Sequence, residues 1–471
     1  MEILHVSAEC YPMAKVGGLG DVVGALPKYQ NKLGAIAKVV LPAYRTKFFN
    51  ENEWVEDYEG KIWLHLSEVK FKILKEKTNK LGFDLYVVDI WNMLDTPNPY
   101  GYENDADRFI AFQKAVITWV NGWEHQPDVI HCHDHHSGLI PFMMYYTKNF
   151  NKLKNIPTVF TIHNAMYQGW MGWDKKNFLP DYDINKNGML EWGGSINSMA
   201  AAIKCSWKFT TVSPGHLDEL FVNANGLEAL ISSERQKAEG ILNGIDTEVW
   251  DPEHDPLLEY RLKEEKMKKW KRKNKETLCD TFGLDPELPL FSFIGRLVSE
   301  KGGDLLASSL NQSLSKHHGK FSAMILGSGT NEIESGIADL KNHWKKNFNC
   351  YIGYQEQLAH QIYASSDFIL MPSRTEPCGL NQMYALRYGT IPIVRNIGGL
   401  KDTVVDFGNE GGFGITFDQS EEWDIVNSLE RALQLFHDKD RFNEIRKKIM
   451  TFDHSWDTSA QQYLNLYQSL K

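Results

Sequence analysis

Cysteine is scarce in this 471-residue chain: there are six, scattered singly, and none forms a CxxC pair. That excludes a disulfide framework and fits a reducing compartment. No apolar run is long enough to span a bilayer, and no low-complexity tract interrupts the chain. The start, MEILHVSAEC, shows neither a basic leader nor a small-residue cleavage site, so the expected location is the cytoplasm, with no membrane partner. Excess positive charge is missing too. A formal net charge of −10 argues against a nucleic-acid binder, although RLKEEKMKKWKRKNK at 261–275 is a concentrated basic run. Its interspersed acids point to a solvated helix face.

What is present is the composition of a globular protein, 42% apolar and 24% charged, with 14 tryptophans that suit either a core or a carbohydrate-facing surface. The length exceeds what one core usually supports, which predicts two domains. Short β-rich runs recur, each followed by a segment long enough for a helical crossover: EILHVSA, AKVVLP, LYVVDI, DVIHCH, TVFTIH and KFTTVS. After NGIDTEVWDP at 243–252 the rhythm starts again with LFSFIGRL, SAMILGSG, CYIGY, DFILMPS, IPIVR and GFGITF. The fold class is therefore α/β, as two doubly wound parallel-sheet, Rossmann-like domains facing a cleft. Their expected extents are 1–242 and 243–454. Residues 455–471 form an amphipathic helix expected to pack back on the first domain.

Ligands in open α/β sheets sit beyond the carboxyl ends of strands, and the polar clusters all follow such ends. In PMAKVGGLGDVVG, Gly17 and Gly18 permit close approaches that a Cβ would forbid, so amides can face an anion, aided by a helix starting near Asp21. Lys15 adds an ammonium. The spacing matches neither GxGxxG nor a closing GK[ST], and a tight turn with an exposed lysine reads equally well. GRLVSEKG at 295–302 places Arg296 and Lys301 at a helix start, where a guanidinium fork and an ammonium can clamp a diphosphate. The plainer reading is a surface pair balanced by Glu300; GSG at 327–329, a second Gly-rich turn, favours the anion. PSRTEPCGLNQ at 372–382 puts Glu376 before a turn, either to hold sugar hydroxyls or to cap a helix.

HCHDHH at 131–136 invites a metal reading. The segment straddles a strand end, alternate side chains point to opposite faces, and few are expected to converge on one ion. Hydrogen bonding by Asp134 and a neighbouring histidine is preferred, and no metal is expected. TIHNAMYQG at 161–169 repeats the pattern with His163 and Asn164 at the strand's end.

Taken together, KVGGLGDV, HDHHSGL, TIHNAMYQG, LNGIDTEVWDP, GRLVSEKG, IGY and PSRTEPCGLNQMYALRYGTIPIV occur in the order and spacing of bacterial glycogen synthases and plant starch synthases. The chain resembles that family from residue 1 to beyond residue 400, and the combination of KxGG with SRxEPCGL is specific to it. The resemblance implies a GT-B glycosyltransferase. It would act with retention and without metal or other cofactor, moving glucose from ADP-glucose (or UDP-glucose) to the 4-hydroxyl of an α-1,4-glucan end. Carried over motif by motif, Arg296 and Lys301 would hold the diphosphate and Glu376 the glucose hydroxyls. The amides of Gly379 and Leu380 would lie close to the sugar or phosphate, and Tyr354 would stack on the base. His163 and Asp134 would lie against the transferred glucose, with Asn164, Glu9 and Asp21 nearer the acceptor. Lys15, Gly17 and Gly18 would complete the donor site.

Two positions depart from wider patterns. Many related retaining GT-B enzymes carry a second glutamate eight positions after the first, where this chain has Tyr384, as glycogen synthases do. The family commonly has tryptophan after the aspartate of the HD segment, where His135 stands here. With no second acid in the Glu376 motif, attack from the leaving-group face is the expected route to retention.

Overall fold

The computed structural model describes residues 1–263 and 266–471, and they divide into two units: Met1–Gly244 with Trp456–Lys471, and Ile245–Ser455. In the first unit, nine strands form one sheet: β1 (Glu2–Val6), β2 (Ile36–Pro42), β3 (Trp54–Leu64), β4 (Ser67–Glu76), β5 (Asp84–Asp89), β6 (Val129–His133), β7 (Thr158–Ile162), β8 (Lys208–Thr211) and β9 (Ala238–Gly240). Their order is β9-β8-β7-β6-β1-β2-β5-β4-β3. The central strands are parallel and buried on both faces, which is why they read as continuous apolar runs. The β3–β4 hairpin is antiparallel and absent from the sequence reading. Its strands are half exposed and carry lysine and glutamate between their apolar residues, so no continuous run marks them.

The Gly18–Lys32 helix buries Val22, Val23, Leu26 and Tyr29. It starts three residues before Asp21, which lies in its first turn, where a carboxylate complements the helix dipole. The C-terminal helix (Trp456–Gln468) packs beside it, and Trp456, Ala460, Tyr463 and Tyr467 share one apolar cluster with Val22, Leu26, Tyr29, Ile3 and Val129. Trp456 is 2% exposed, so Trp456→Ala is expected to cost about 3–5 kcal/mol, the range for truncating a large buried aromatic; chemical denaturation measures it.

The second unit carries a six-stranded sheet of β10 (Leu290–Ile294), β11 (Ser322–Gly327), β12 (Phe348–Ile352), β13 (Phe368–Met371), β14 (Ile391–Arg395) and β15 (Ile415–Phe417). Every pairing is parallel, in the order β12-β11-β10-β13-β14-β15, with apolar clusters over both faces.

The basic run departs from its expected role as a solvated face. It forms the Met267–Phe282 helix, and Lys271 and Lys275, four residues apart and so on one side, point inward. Lys271 Nζ donates to the carbonyls of Tyr363 and Tyr388 and to Thr390 Oγ1, at 3.0, 3.1 and 2.8 Å. Lys275 Nζ pairs with buried Asp367 at 2.7 Å. The run's interspersed acids, Glu264 and Glu265, lie outside the described residues. Among the described residues no helix is long and apolar enough to cross a membrane.

Candidate functional site

In the first unit three adjacent strands deliver their carboxyl ends to one place: β1 leads to Glu9, β6 to Asp134, and β7 to His163 and Asn164. Asp134 adopts a φ of 54°, a region that non-glycine residues rarely enter. From there its Oδ1 accepts the His163 amide at 2.8 Å and the Asn164 amide at 3.5 Å, locking the two strand ends together. Burial pushes the Asp134 carboxyl up to about 7, against the pull of those amides.

The glycine loop differs from its expected use. Its amides already hold an anion, the carboxylate of Glu9, which accepts from Val16 N at 2.6 Å and Gly17 N at 3.0 Å and also from the Tyr100 hydroxyl at 2.7 Å. Lys15 pairs with Asp21 at 2.7 Å and is not a loose ammonium. Gly17 has an extended backbone, and a Cβ at either Gly17 or Gly18 would meet nothing within 4 Å. The chain itself therefore gives no steric reason for glycine there. Burial raises the Glu9 carboxyl above its ordinary value.

The histidine run also needs correcting. His131 and His133 are two apart on β6 and so share a face, and the register sets His5 of β1 beside His131. These three buried side chains bring ring nitrogens within 4.8 Å of one another, the kind of cluster that can hold a metal. All six nitrogens already have hydrogen-bond partners, however, and the His131 and His133 rings stack at 4.2 Å, which sets their lone pairs side by side. The donor set does not fit an ion. It fits a hydrogen-bonded line that ends on His163, whose Nε2 lies 3.0 Å from His133 Nδ1. Burial holds His163 down at about 3 and His135 at about 4.

In the second unit two loops after strand ends are stitched into one piece. The amides of Arg374 and Thr375 donate to the Glu300 carbonyl at 2.8 and 3.3 Å, and the Arg374 guanidinium clamps Asp304 at 2.6 Å. Gly302 adopts a φ of +68°, and any Cβ there would run into the Pro372 carbonyl, so only glycine lets the loops touch. This contact sets Lys301 Nζ 2.6 Å from both Glu376 oxygens, while Ser373 Oγ donates to the same carboxylate at 2.9 Å. Glu376 thus neither caps a helix nor leaves Lys301 to Glu300. Lys301 lies just ahead of the Gly303–Lys316 helix, and Arg296 is exposed with no ion-pair partner among the described residues. Gly379 (φ +72°) and Leu380 lead into the Asn381–Arg387 helix, and Tyr354 is 75% exposed beyond β12. The GSG turn serves the chain itself: its glycines let the loop press against residues 295–297, bridging Leu297 to Gly329. Tyr384 stacks on Trp250 at 3.8 Å, so its position offers a packed ring and no carboxylate.

A family model of the starch synthase catalytic domain matches residues 2–233, and one of glycosyl transferases group 1 matches residues 274–449. A glycogen synthase of Flavobacterium johnsoniae is 53% identical over 467 residues, covering 99% of this chain and 98% of its own. The chain belongs to the glycogen and starch synthase family. It is a glycosyltransferase, and its two parallel-sheet units are of the GT-B kind. A glycogen synthase of Bacillus cereus is 36% identical over 499 residues, covering both chains fully. The catalytic domain of Starch Synthase IV from Arabidopsis thaliana, bound to ADP and acarbose, matches with a TM-score of 0.90 at 30% identity, over 100% of this chain and 99% of that one. A sucrose-phosphate synthase from Thermosynechococcus elongatus, at 15% identity and a TM-score of 0.62, shares the fold. For a member of this family, sequence reasoning overlooked Ser373, Arg374 and Tyr100, which hold the site residues in place. The even spacing of His131 and His133 was the signal for the histidine line; Tyr100, ninety-one positions from Glu9, left none.

Proposed function

We propose that this chain transfers glucose with retention from ADP-glucose to the 4-hydroxyl at the non-reducing end of an α-1,4-glucan. The observation that carries the reading is the Lys301–Glu376–Ser373 constellation, held by backbone contacts at the start of the Gly303–Lys316 helix, in a chain 53% identical to a glycogen synthase. In this reading the second unit holds the nucleotide sugar. Arg296, Lys301 and the helix amino terminus take the diphosphate and offset its charge as it leaves, and a diphosphate so stabilised needs no proton from a general acid. Glu376 holds the glucose hydroxyls, Gly379 and Leu380 present amides, and Tyr354 stacks on the base.

In the first unit Asp134 and His163 lie against the transferred glucose, Asn164, Glu9 and Asp21 take the acceptor, and Lys15, Gly17 and Gly18 serve the donor. The open space over Gly17 and Gly18 supports that role. Glu376 is bound by Lys301 at both oxygens and is a poor nucleophile, and Tyr384 supplies no second one; both favour attack from the leaving-group face. Trapping of a covalent glucosyl-enzyme would overturn that step. The bound ADP and acarbose of the Arabidopsis relative support the donor and the glucan acceptor. Six free cysteines support action in the cytoplasm.

The test is incorporation of labelled glucose into glycogen from ADP-glucose and UDP-glucose side by side. Transfer from ADP-glucose with retained anomeric configuration is expected. Faster transfer from UDP-glucose would replace the donor, and no transfer from either would sink the reading.

A further inference from the structure

The imidazoles behind His163 form one line, and its direction decides what that residue offers a substrate. His163 Nε2 is 3.0 Å from His133 Nδ1, His133 Nε2 is 3.0 Å from His5 Nδ1, and His5 Nε2 is 2.8 Å from Gln30 Oε1. Gln30, His5 and His133 are fully buried, and His163 is 8% exposed. Burial holds the imidazoles neutral, with His5 lowered to about 4, His163 to about 3 and His133 well below its ordinary value.

A neutral imidazole has one N–H and one lone pair, so each link dictates the next. Gln30 Oε1 can only accept, so His5 carries its proton on Nε2. His5 Nδ1 is then bare and accepts from His133 Nε2–H. His133 Nδ1 in turn accepts from His163 Nε2–H, and His163 Nδ1 is left as a lone pair with no partner among the described residues. A second branch starts from the same amide and takes its direction from it. Gln30 Nε2 faces the Tyr467 hydroxyl at 3.4 Å, and that hydroxyl lies 2.6 Å from His131 Nδ1, whose other nitrogen is 2.6 Å from Thr161 Oγ1. With Gln30 donating to Tyr467, the phenol donates to His131 and His131 donates to Thr161, so both branches are satisfied by one amide orientation.

We propose that Gln30 is a positioning residue: through His5 and His133 it fixes His163 as the Nε2–H tautomer, so that Nδ1 can only accept a hydrogen bond. The inference rests on the proposed placement of His163 against the transferred glucose. There a sugar hydroxyl has a proton to give and a phosphate oxygen at neutral pH has none, so the tautomer sorts the sugar from the diphosphate. No residue of the line touches the substrate except His163.

Nitrogen NMR of the full-length chain labelled with ¹⁵N-histidine, with His163 assigned by difference against His163→Gln, reads the tautomer directly. A protonated Nε2 and bare Nδ1 at His163 are expected, and a protonated Nδ1 would overturn the proposal. Gln30→Met keeps the shape and removes the acceptor. It is expected to let the second tautomer appear and to lower kcat about tenfold, one hydrogen bond's worth, with little change in donor KM and a modest fall in melting temperature, because His5 Nε2 and the Tyr467 hydroxyl lose a buried partner. An unchanged tautomer and rate in that variant would also overturn it. The spectrum is read without substrate, so a chain that transferred no glucose would defeat the proposed function and leave the tautomer to be judged by itself.

Discussion

Lys301→Ala is expected to lower turnover by about a hundred- to a thousandfold while the fold stands, the scale for removing one preorganised electrostatic contact to a transition state. Of the cations proposed to meet the diphosphate, Lys301 is the one held in place, with 2.6 Å contacts to both Glu376 oxygens and a loop welded to its neighbour through Gly302 and Pro372. Cleaving the bond from sugar to diphosphate leaves negative charge on the phosphate, and in the proposed role the Lys301 ammonium would need no reorganisation as that charge grows. Its loss also strands Glu376, 9% exposed at the side chain, with Ser373 alone among the described residues to satisfy it. Turnover with ADP-glucose and a calorimetric melting temperature check both halves of the expectation. Glu376→Ala should cost a similar factor, and the double variant little more than either single one, because the pair acts as a unit. A near-normal rate in Lys301→Ala would mean that the diphosphate binds elsewhere.

Acid is expected to unfold the first unit steeply. His5, His131, His133, His135, His136 and His163 are held neutral by burial, His5 and His135 at about 4 and His163 at about 3, whereas in the unfolded chain each takes a proton near pH 6.5. Their contribution is fully present above pH 6.5 and is lost as pH falls through 6.5 toward the folded values. Asp134, raised from 3.8 to about 7, and Glu9, raised from 4.5, run the other way: what they contribute is present below their ordinary pKa and is lost as pH rises. The six histidines outweigh Asp134 and whatever Glu9 gives back, so unfolding takes up about four to five protons between pH 5 and 6, a slope of about 5–7 kcal/mol per pH unit. Against a total of about 5–15 kcal/mol, that places the transition near pH 5. Circular dichroism against pH, with potentiometric proton uptake, measures it. Constant stability from pH 7 to 4.5 would refute the neutral histidine line.

Much of this was legible in the chain. The runs that mark β1, β2, β5 to β8, β10, β11 and β13 to β15 are apolar because parallel strands are largely buried on both faces, whereas β12 lies at the sheet edge with Tyr351 and Ile352 exposed; Asp134, His163 and Glu376 stand at strand ends where the sheet geometry puts ligands. What escaped notice has physical causes. The β3–β4 hairpin shows one face to solvent and hides its apolar residues among lysines and glutamates. Lys271 and Lys275 look like surface charge until their carbonyl and carboxylate partners, about ninety or more positions away, are brought to them. Glu376 could be marked from its motif, but that Lys301 binds it at both oxygens depends on a loop contact seventy-five residues apart.

The Glu9 carboxylate in the glycine loop gives that loop an exchange chemistry. An incoming anion cannot add hydrogen bonds from the Val16 and Gly17 amides to an empty account, since those donors are already engaged. At those two amides it can only swap for Glu9, and the free energy of the swap is a small difference between two similar sets of bonds, plus the work of moving a buried carboxylate away from the Tyr100 hydroxyl. Simple anions should therefore compete poorly at this loop. A ligand that engages it must bring its binding energy from elsewhere, which makes the loop a discriminator against loose phosphate more than a trap for it.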